Sequence, residues 1–451
     1  MKKILSLSLF GLLLMAQEGV TELKLEQVNK IVDSTFSEKG IKSQGTTNIE
    51  ENAFVDNVYI LQKPSIDEEV AGNLIVDSIV TGSGSEVHQG LTHVKSGAKL
   101  QDAKLESVNE IRNLKATSKE SFVSQGNVII GDDSNVTKIL NSANENVIGD
   151  GTADKFTIYQ ENSIADTKIR NTTIHQGLIV VKNGADVSNL DISQRNSITR
   201  SDMSGQNEIN ATQVTQGLIK IEDGVGRNIQ QNIENRIDNL KINNSSLVNQ
   251  AYLYAIDADI NNLNSKQNSA NSQDIVKNEI KNVTMNNAIV EQSSIQIKQS
   301  SVDMFNNYNR GNTIQQNNLV RTVTLEENST LSQSTLNLKN GSTLTNVEYF
   351  TADNPNSTQD AINEIKELNM AQDNSIYQDR LELDRATLED STLHRTTTIK
   401  DVNIGQDSNV YQFYTKISNA QTKNFKLSNK SNIKDTAIND SGVTQSMMVI
   451  E

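Results

Sequence analysis

The sequence predicts an all-β fold, an elongated β-solenoid with coils of about 16–20 residues. Three observations predict it. Short Val/Ile/Leu alternations punctuated by Asn, Gly, Ser and Asp replace helical periodicity from about residue 45 onward. One unit, an apolar residue, a gap and then Gln, recurs through the chain. The composition is too poor in apolar groups for a large spherical core: 35% of residues are hydrophobic, 4% aromatic, and Asn plus Gln make up about a fifth.

The repeat is anchored on Gln89, Gln125, Gln160, Gln176, Gln216, Gln250, Gln292, Gln333, Gln378, Gln412 and Gln445. An apolar residue precedes each by two positions, as Ile174 precedes Gln176 and Val214 precedes Gln216. Apolar pairs such as Ile179/Val181 and Ile219/Ile221 follow at plus three and plus five. Side chains alternate faces along a strand, so Ile174 and Gln176 share a face, while Ile179 and Val181 lie at odd spacing from Gln176. The parity slip falls where Gly90, Gly126, Gly177 and Gly217 follow their glutamines. A corner there turns both apolar pairs into one interior, and Gly tolerates the backbone angles such a corner needs. Gly97, Gly184, Gly224 and Gly341 mark a second corner. Gln378, Arg395 and Gln412 stand seventeen residues apart, which sets the expected coil length, with Arg395 replacing Gln in its copy. Some twenty coils stacked at about 4.8 Å would make a rod on the order of 100 Å long.

A Gln sharing a face with core Val and Ile is costly unless its amide is paired. Stacked coils place equivalent glutamines above one another, so an amide ladder is expected, the alternative being glutamines that sit in corners and face water; either role is structural rather than catalytic.

Two helices are expected beside the coils. Val20, Leu23, Val28, Ile31, Val32 and Phe36 fall near helical spacing. In 357–371, Ser357 or Thr358 could cap a helix that places Ala361, Ile362, Ile365 and Leu368 on one face. The N-terminus, Met1-Lys2-Lys3 followed by ILSLSLFGLLLMA, has the form of a secretory signal peptide cleaved after Ala16. The expected organisation is thus a leader over 1–16, a lead-in over 17–44 and a repetitive domain over 45–451. No later segment is long and apolar enough for a membrane helix. The mature chain is therefore expected to be exported.

NSIYQ at 374–378, SNVYQ at 408–412, TIHQG at 173–177, QVTQG at 213–217 and the final GVTQSMMVIE resemble the strand–turn units of curli-type bacterial amyloid subunits. That resemblance implies a secreted β-solenoid fibre subunit at the bacterial cell surface, a functional amyloid of biofilm matrix or adhesin type. Its partners would be further copies of itself, with a nucleator, secretion protein or surface glycans.

Charge and residue chemistry narrow the function further. A net charge of −15 disfavours nucleic acid. Without Cys there are no disulfides, thiolate metal sites or Cys nucleophiles. His88 and His175 precede their glutamines and so point outward, His93 and His394 are isolated, and all four are expected at the surface. No nucleophile elbow, phosphate loop or zinc motif occurs. No catalytic residue, metal ligand or cofactor is assigned; the acidic turns GDDSN (131–135), GDGTAD (149–154) and EDG (222–224) are the nearest to a Ca²⁺ site. The expectation is a non-enzymatic structural protein. The alternatives are a passive surface-layer protein, or a glycan-binding or polysaccharide-degrading β-helix of tailspike or lyase type. The β-helix would need a groove with clustered acids and aromatics.

Overall fold

A computed structural model describes residues 12–14, 20–21, 24–37, 41–49, 54–62, 72–95, 97–117, 121–130, 152–182, 184–206, 211–267, 278–303, 312–316, 318–345, 347–350 and 363–451. The strands join one continuous sheet, and every pairing is parallel. Each coil lies in register on the next, which makes the molecule a parallel β-solenoid.

The coil is twice as long as the spacing suggests. Equivalent residues of neighbouring coils are separated by 33 residues at the closest, between Ser418 and Glu451. They are 34 apart between Gln160 and Gln194, and 53 apart between Asn109 and Asn162. The seventeen-residue unit is therefore half a coil, and two such halves face each other across the rod. Gln378 pairs with Gln412, and Arg395 lies on the opposite wall, paired with Asn429. Among the described residues eleven stacked coils carry the glutamine, which makes about 50 Å of rod, half the expected length.

Both expected helices are replaced by strands, and no helix occurs among the described residues. Asn29–Val32 pairs with Asn73–Val76, and Thr35–Phe36 with Ile79–Val80, so this segment forms part of a coil. Asn363–Gln372 lies between Asn318–Glu327 and Thr392–Ile404, whereas 357–362 lie outside the described residues. The physical reason is the same in both places. In a stacked coil the backbone bonds of a strand go to neighbouring coils, and alternate side chains reach the core. Ile31 and Ile365 do so here, and tertiary pairing overrides an apolar spacing that is ambiguous over so few residues. Of residues 1–16, only Leu12–Leu14 is described, pairing with Thr47–Ile49.

The corners explain the composition. The strands turn at residues in the left-handed region, and most of these are Asn or Asp, such as Asp77, Asn113, Asp166 and Asn189, with φ between 51 and 54° apart from Asp77 at 49°. Asn and Asp tolerate this conformation better than other side chains because their short polar groups bond locally. The glycine corners are the minority.

The core has two lobes. Val94, Leu105, Ile158, Val181, Ile192 and Leu388 belong to one continuous apolar cluster. Ile75, Val123, Ile174, Ile198, Met285 and Val410 belong to another. Between them the coil is pinched to a waist, and the waist holds the amides.

Candidate functional site at the amide waist

One wall of the waist carries an unbroken column of eleven glutamines. Gln44, Gln89, Gln125, Gln176, Gln216, Gln250, Gln292, Gln333, Gln378, Gln412 and Gln445 occupy equivalent positions in successive coils. Ten of them belong to the expected set. The register puts Gln160 in a different column, on the opposite wall between Ser107 and Gln194. Gln44 was hidden from the pattern because Lys42 stands where an apolar residue stands in the other copies.

The side chains bond along the column in one direction. Gln89 Nε2 donates to Gln44 Oε1 at 2.9 Å, Gln125 to Gln89 at 2.8 Å, Gln176 to Gln125 at 2.8 Å and Gln216 to Gln176 at 2.7 Å. Gln250, Gln292 and Gln333 continue it at 2.9, 2.9 and 3.0 Å. Every donor points toward the N-terminal coils. The second N–H of the amide crosses the waist: Gln125 donates to the Glu110 carbonyl, Gln176 to that of Ser163 and Gln216 to that of Ser197, each at 3.2 Å. Both donors of a buried amide are thereby satisfied, as burial requires. Farther along, Gln378 reaches Gln333 only at 3.5 Å, and both amide atoms of Gln412 are buried without a partner.

The opposite wall answers with an asparagine column. Asn29 Nδ2 donates to Asn73 at 2.8 Å, Asn73 to Asn109 at 2.7 Å, Asn109 to Asn162 at 2.8 Å, Asn162 to Asn196 at 2.8 Å and Asn196 to Asn235 at 2.9 Å. These donors point toward the C-terminal coils, opposite to the glutamines. Gln194 on this wall donates to Gln160 at 2.8 Å and back across the waist to the Gly177 carbonyl at 2.7 Å. A sequence signal for this column exists, the Gln-x-Asn of Gln160–Asn162 and Gln194–Asn196, but Ser107 and Ile233 interrupt it in neighbouring coils.

This close approach explains the Gln-Gly dipeptide. Gly90, Gly126, Gly177 and Gly217 have φ of 64, 61, 63 and 67°. A Cβ on Gly177 would stand 2.2 Å from Asn162 Nδ2, and one on Gly126 2.1 Å from Asn109 Nδ2. The corner bends inward against a facing asparagine, so a Cβ at these four glycines would collide with the asparagine column. Gly184 and Gly341, with φ of 80 and 82°, serve outward corners, and a Cβ on Gly341 would meet nothing within 4 Å.

An inward corner makes a groove outside it. Side chains that alternate with the core residues converge there from both flanking strands. His88, His93 and His175 point outward as expected, but they are buried beside Leu91, Phe122, Ile129, Leu178 and Val180. They are not surface histidines, because the concave wall removes them from water. His88 Nδ1 lies 2.8 Å from Ser124 Oγ. His175 packs edge-on against Phe122 at 5.1 Å, and its Nδ1 is buried without a partner. Burial alone lowers the His175 pKa to about 4. The His394 side chain lies outside the described residues.

Neighbouring charges in this groove are paired. Lys182, 1% exposed, lies 3.3 Å from the Glu222 carboxylate, and Lys220 lies 2.7 Å from the same oxygen. Burial pushes the Lys220 pKa down, and the Glu222 carboxylate opposes that. Two ammonium groups thus occupy the carboxylate of the EDG turn, and Asp223 beside it forms a left-handed corner. Residues 131–151 lie outside the described residues, and among the described residues no three His, Cys, Asp or Glu side chains gather to hold a metal. No helix among the described residues is long and apolar enough to cross a membrane.

No protein-family model matches the chain, and no curated protein matches it.

Proposed function

We propose that this is an exported, non-enzymatic structural protein whose rods join end to end into fibres by parallel strand addition. The observation that carries this reading is the uniform in-register amide column. Because its donors from Gln89 to Gln378 all point one way, a donor-bearing coil face and an acceptor-bearing coil face are complementary, and such a coil is a template for another. The coil of Gln445 has apolar side chains to offer such a partner: Ile438 is 50% exposed, Met448 49% and Ile450 71%. The curli-type resemblance and the leader-like N-terminus support an extracellular location, and the charge of −15 suits a solvated fibre surface.

The test uses purified residues 17–451 at physiological salt. Negative-stain microscopy should show unbranched filaments, and aligned fibres should give a meridional reflection near 4.8 Å. Met448→Lys with Ile450→Lys should slow filament growth at least tenfold, because two ammonium groups would be buried in the junction. Rods that stay dispersed for days at high concentration would sink the assembly mechanism.

A further inference from the structure

The outward groove changes character along the rod. In the first coils it is filled by Phe122, Leu178 and the buried histidines. In the coils of Gln378 and Gln412 the same positions hold an aromatic and ionic cluster. Tyr377 and Tyr411, one coil apart, stack with ring centroids 5.0 Å apart and planes 8° from parallel. Tyr414 comes from the strand beyond the corner and meets Tyr411 at 5.7 Å and 72°, and Tyr377 at 6.3 Å and 74°. The two walls of the groove therefore touch through their rings. The Arg380 guanidinium lies 4.7 Å from the Tyr377 centroid and 5.8 Å from that of Tyr414, and it is ion-paired with Glu382. Glu291 stands two coils before Tyr377 in the same outward column. Burial raises its pKa, and Arg380 opposes the rise.

We propose that this stretch of groove binds a linear, neutral polysaccharide. Three of the nine tyrosines in an aromatic-poor chain gather here, each only partly buried. The amide waist does not use them, since its bonds are made on the inward side. The partly exposed rings of Tyr377, Tyr411 and Tyr414, beside hydroxyl, guanidinium and carboxylate groups, match a ligand with apolar faces and hydroxylated rims. The groove runs along the rod axis, which suits a chain polymer. The charges select a neutral one. Arg380 and Lys339 are both paired with Glu382, Lys416 is paired with Glu451, Glu291 adds a carboxyl group, and the whole chain carries −15, so a polyanion gains nothing here. The same balance argues against single-stranded nucleic acid, which stacks on aromatic platforms but needs a basic groove. The inference does not depend on fibre formation, because the cluster lies within one chain.

The experiment is affinity electrophoresis of the full chain in native gels containing a soluble β-glucan, a xylan, an α-glucan or a polyuronate. It is followed by tyrosine fluorescence titration with cellohexaose and with oligo-dT. The chain has no Trp, so its emission comes from tyrosine. Retardation by at least one neutral polysaccharide is expected, with a Kd raised at least tenfold in Tyr411→Ala and Tyr414→Ala. The Tyr411→Phe variant should stay within about threefold of the unaltered chain, because it keeps the ring. Circular dichroism of each variant establishes that the solenoid is retained. The proposal is overturned if no neutral polysaccharide retards the chain, if retardation persists unchanged in a folded Tyr411→Ala/Tyr414→Ala variant, or if polyuronate or oligo-dT binds more tightly than every neutral glycan.

Discussion

Gln176 shows what a single amide does in this fold. It donates to Gln125 and to the Ser163 carbonyl, and it accepts from Gln216. Gln176→Leu keeps the apolar contacts but takes a bond from two acceptors, Gln125 Oε1 and the Ser163 carbonyl, and from one donor, Gln216 Nε2, in a buried waist, at a cost of about 2–4 kcal/mol. Gln412→Leu removes an amide that has no partner and should be neutral or stabilising. Urea titration of the two variants side by side checks the contrast. The glycines divide in the same way. Gly177→Ala adds a Cβ 2.2 Å from Asn162 Nδ2 at φ 63° and should cost more than about 3 kcal/mol, while Gly341→Ala meets only backbone strain of about 1 kcal/mol. Asn162→Ala combined with Gly177→Ala should recover part of the first loss. His175 gives the residue-scale pH dependence. Its folded pKa of about 4 lies below the ordinary value, so the unfolded chain takes up the proton first. Its stabilising effect is complete above pH 6.5 and fades as the pH falls to about 4, by up to about 3 kcal/mol. Unfolding measured at pH 7.5 and pH 5 should differ less in His175→Gln than in the unaltered chain.

At the scale of an element, the unit is the coil of two facing halves. Excising residues 161–194 removes one coil of the 34-residue length. It sets Gln216 on Gln125 and Asn196 on Asn109, so both columns close up in register. That variant should keep its β-sheet circular dichroism and its resistance to limited proteolysis. Removing 161–177, half as much, would place residues of one wall over the other. It should give an aggregated or protease-sensitive chain. A solenoid with coils of 16–20 residues would tolerate the shorter excision, so the pair of deletions measures the coil length directly. The corners tolerate more than the strands do, because an Asn or Asp corner needs only local bonding.

For the whole molecule, the pinched cross-section separates structure from surface. Inward, it replaces the middle of the core with amide columns running in opposite directions, which fix the register where apolar packing alone would permit slippage. Outward, it opens a groove whose lining varies from coil to coil while the waist repeats. The histidine end is buried and the tyrosine end is partly open. The proposed fibre uses the ends of the rod and the proposed glycan site uses its flank, so filament assembly should leave glycan binding intact. Titrating assembled filaments with cellohexaose, against the dispersed chain, checks this.

The sequence by itself determined the all-β class of the repeat, its strands around the glutamines and the Gln-Gly corner. Alternation and parity are local properties of a strand, and a Gly after each early Gln marks the turn wherever the chain goes. It also located ten glutamines of the column, since stacking demands the same residue in each coil. Only the tertiary structure decided the rest. The seventeen-residue spacing is the same whether two units lie above one another or across from one another; the pairing of Gln160 with Gln194 and of Gln176 with Gln216 distinguishes them. The asparagine column faces the glycines from residues 15 to 21 positions earlier, a separation set by insertions. The buried histidines and the tyrosine cluster depend on the concavity of the corner. Parity assigns an outward side chain to solvent, and the inward bend of the backbone takes it back.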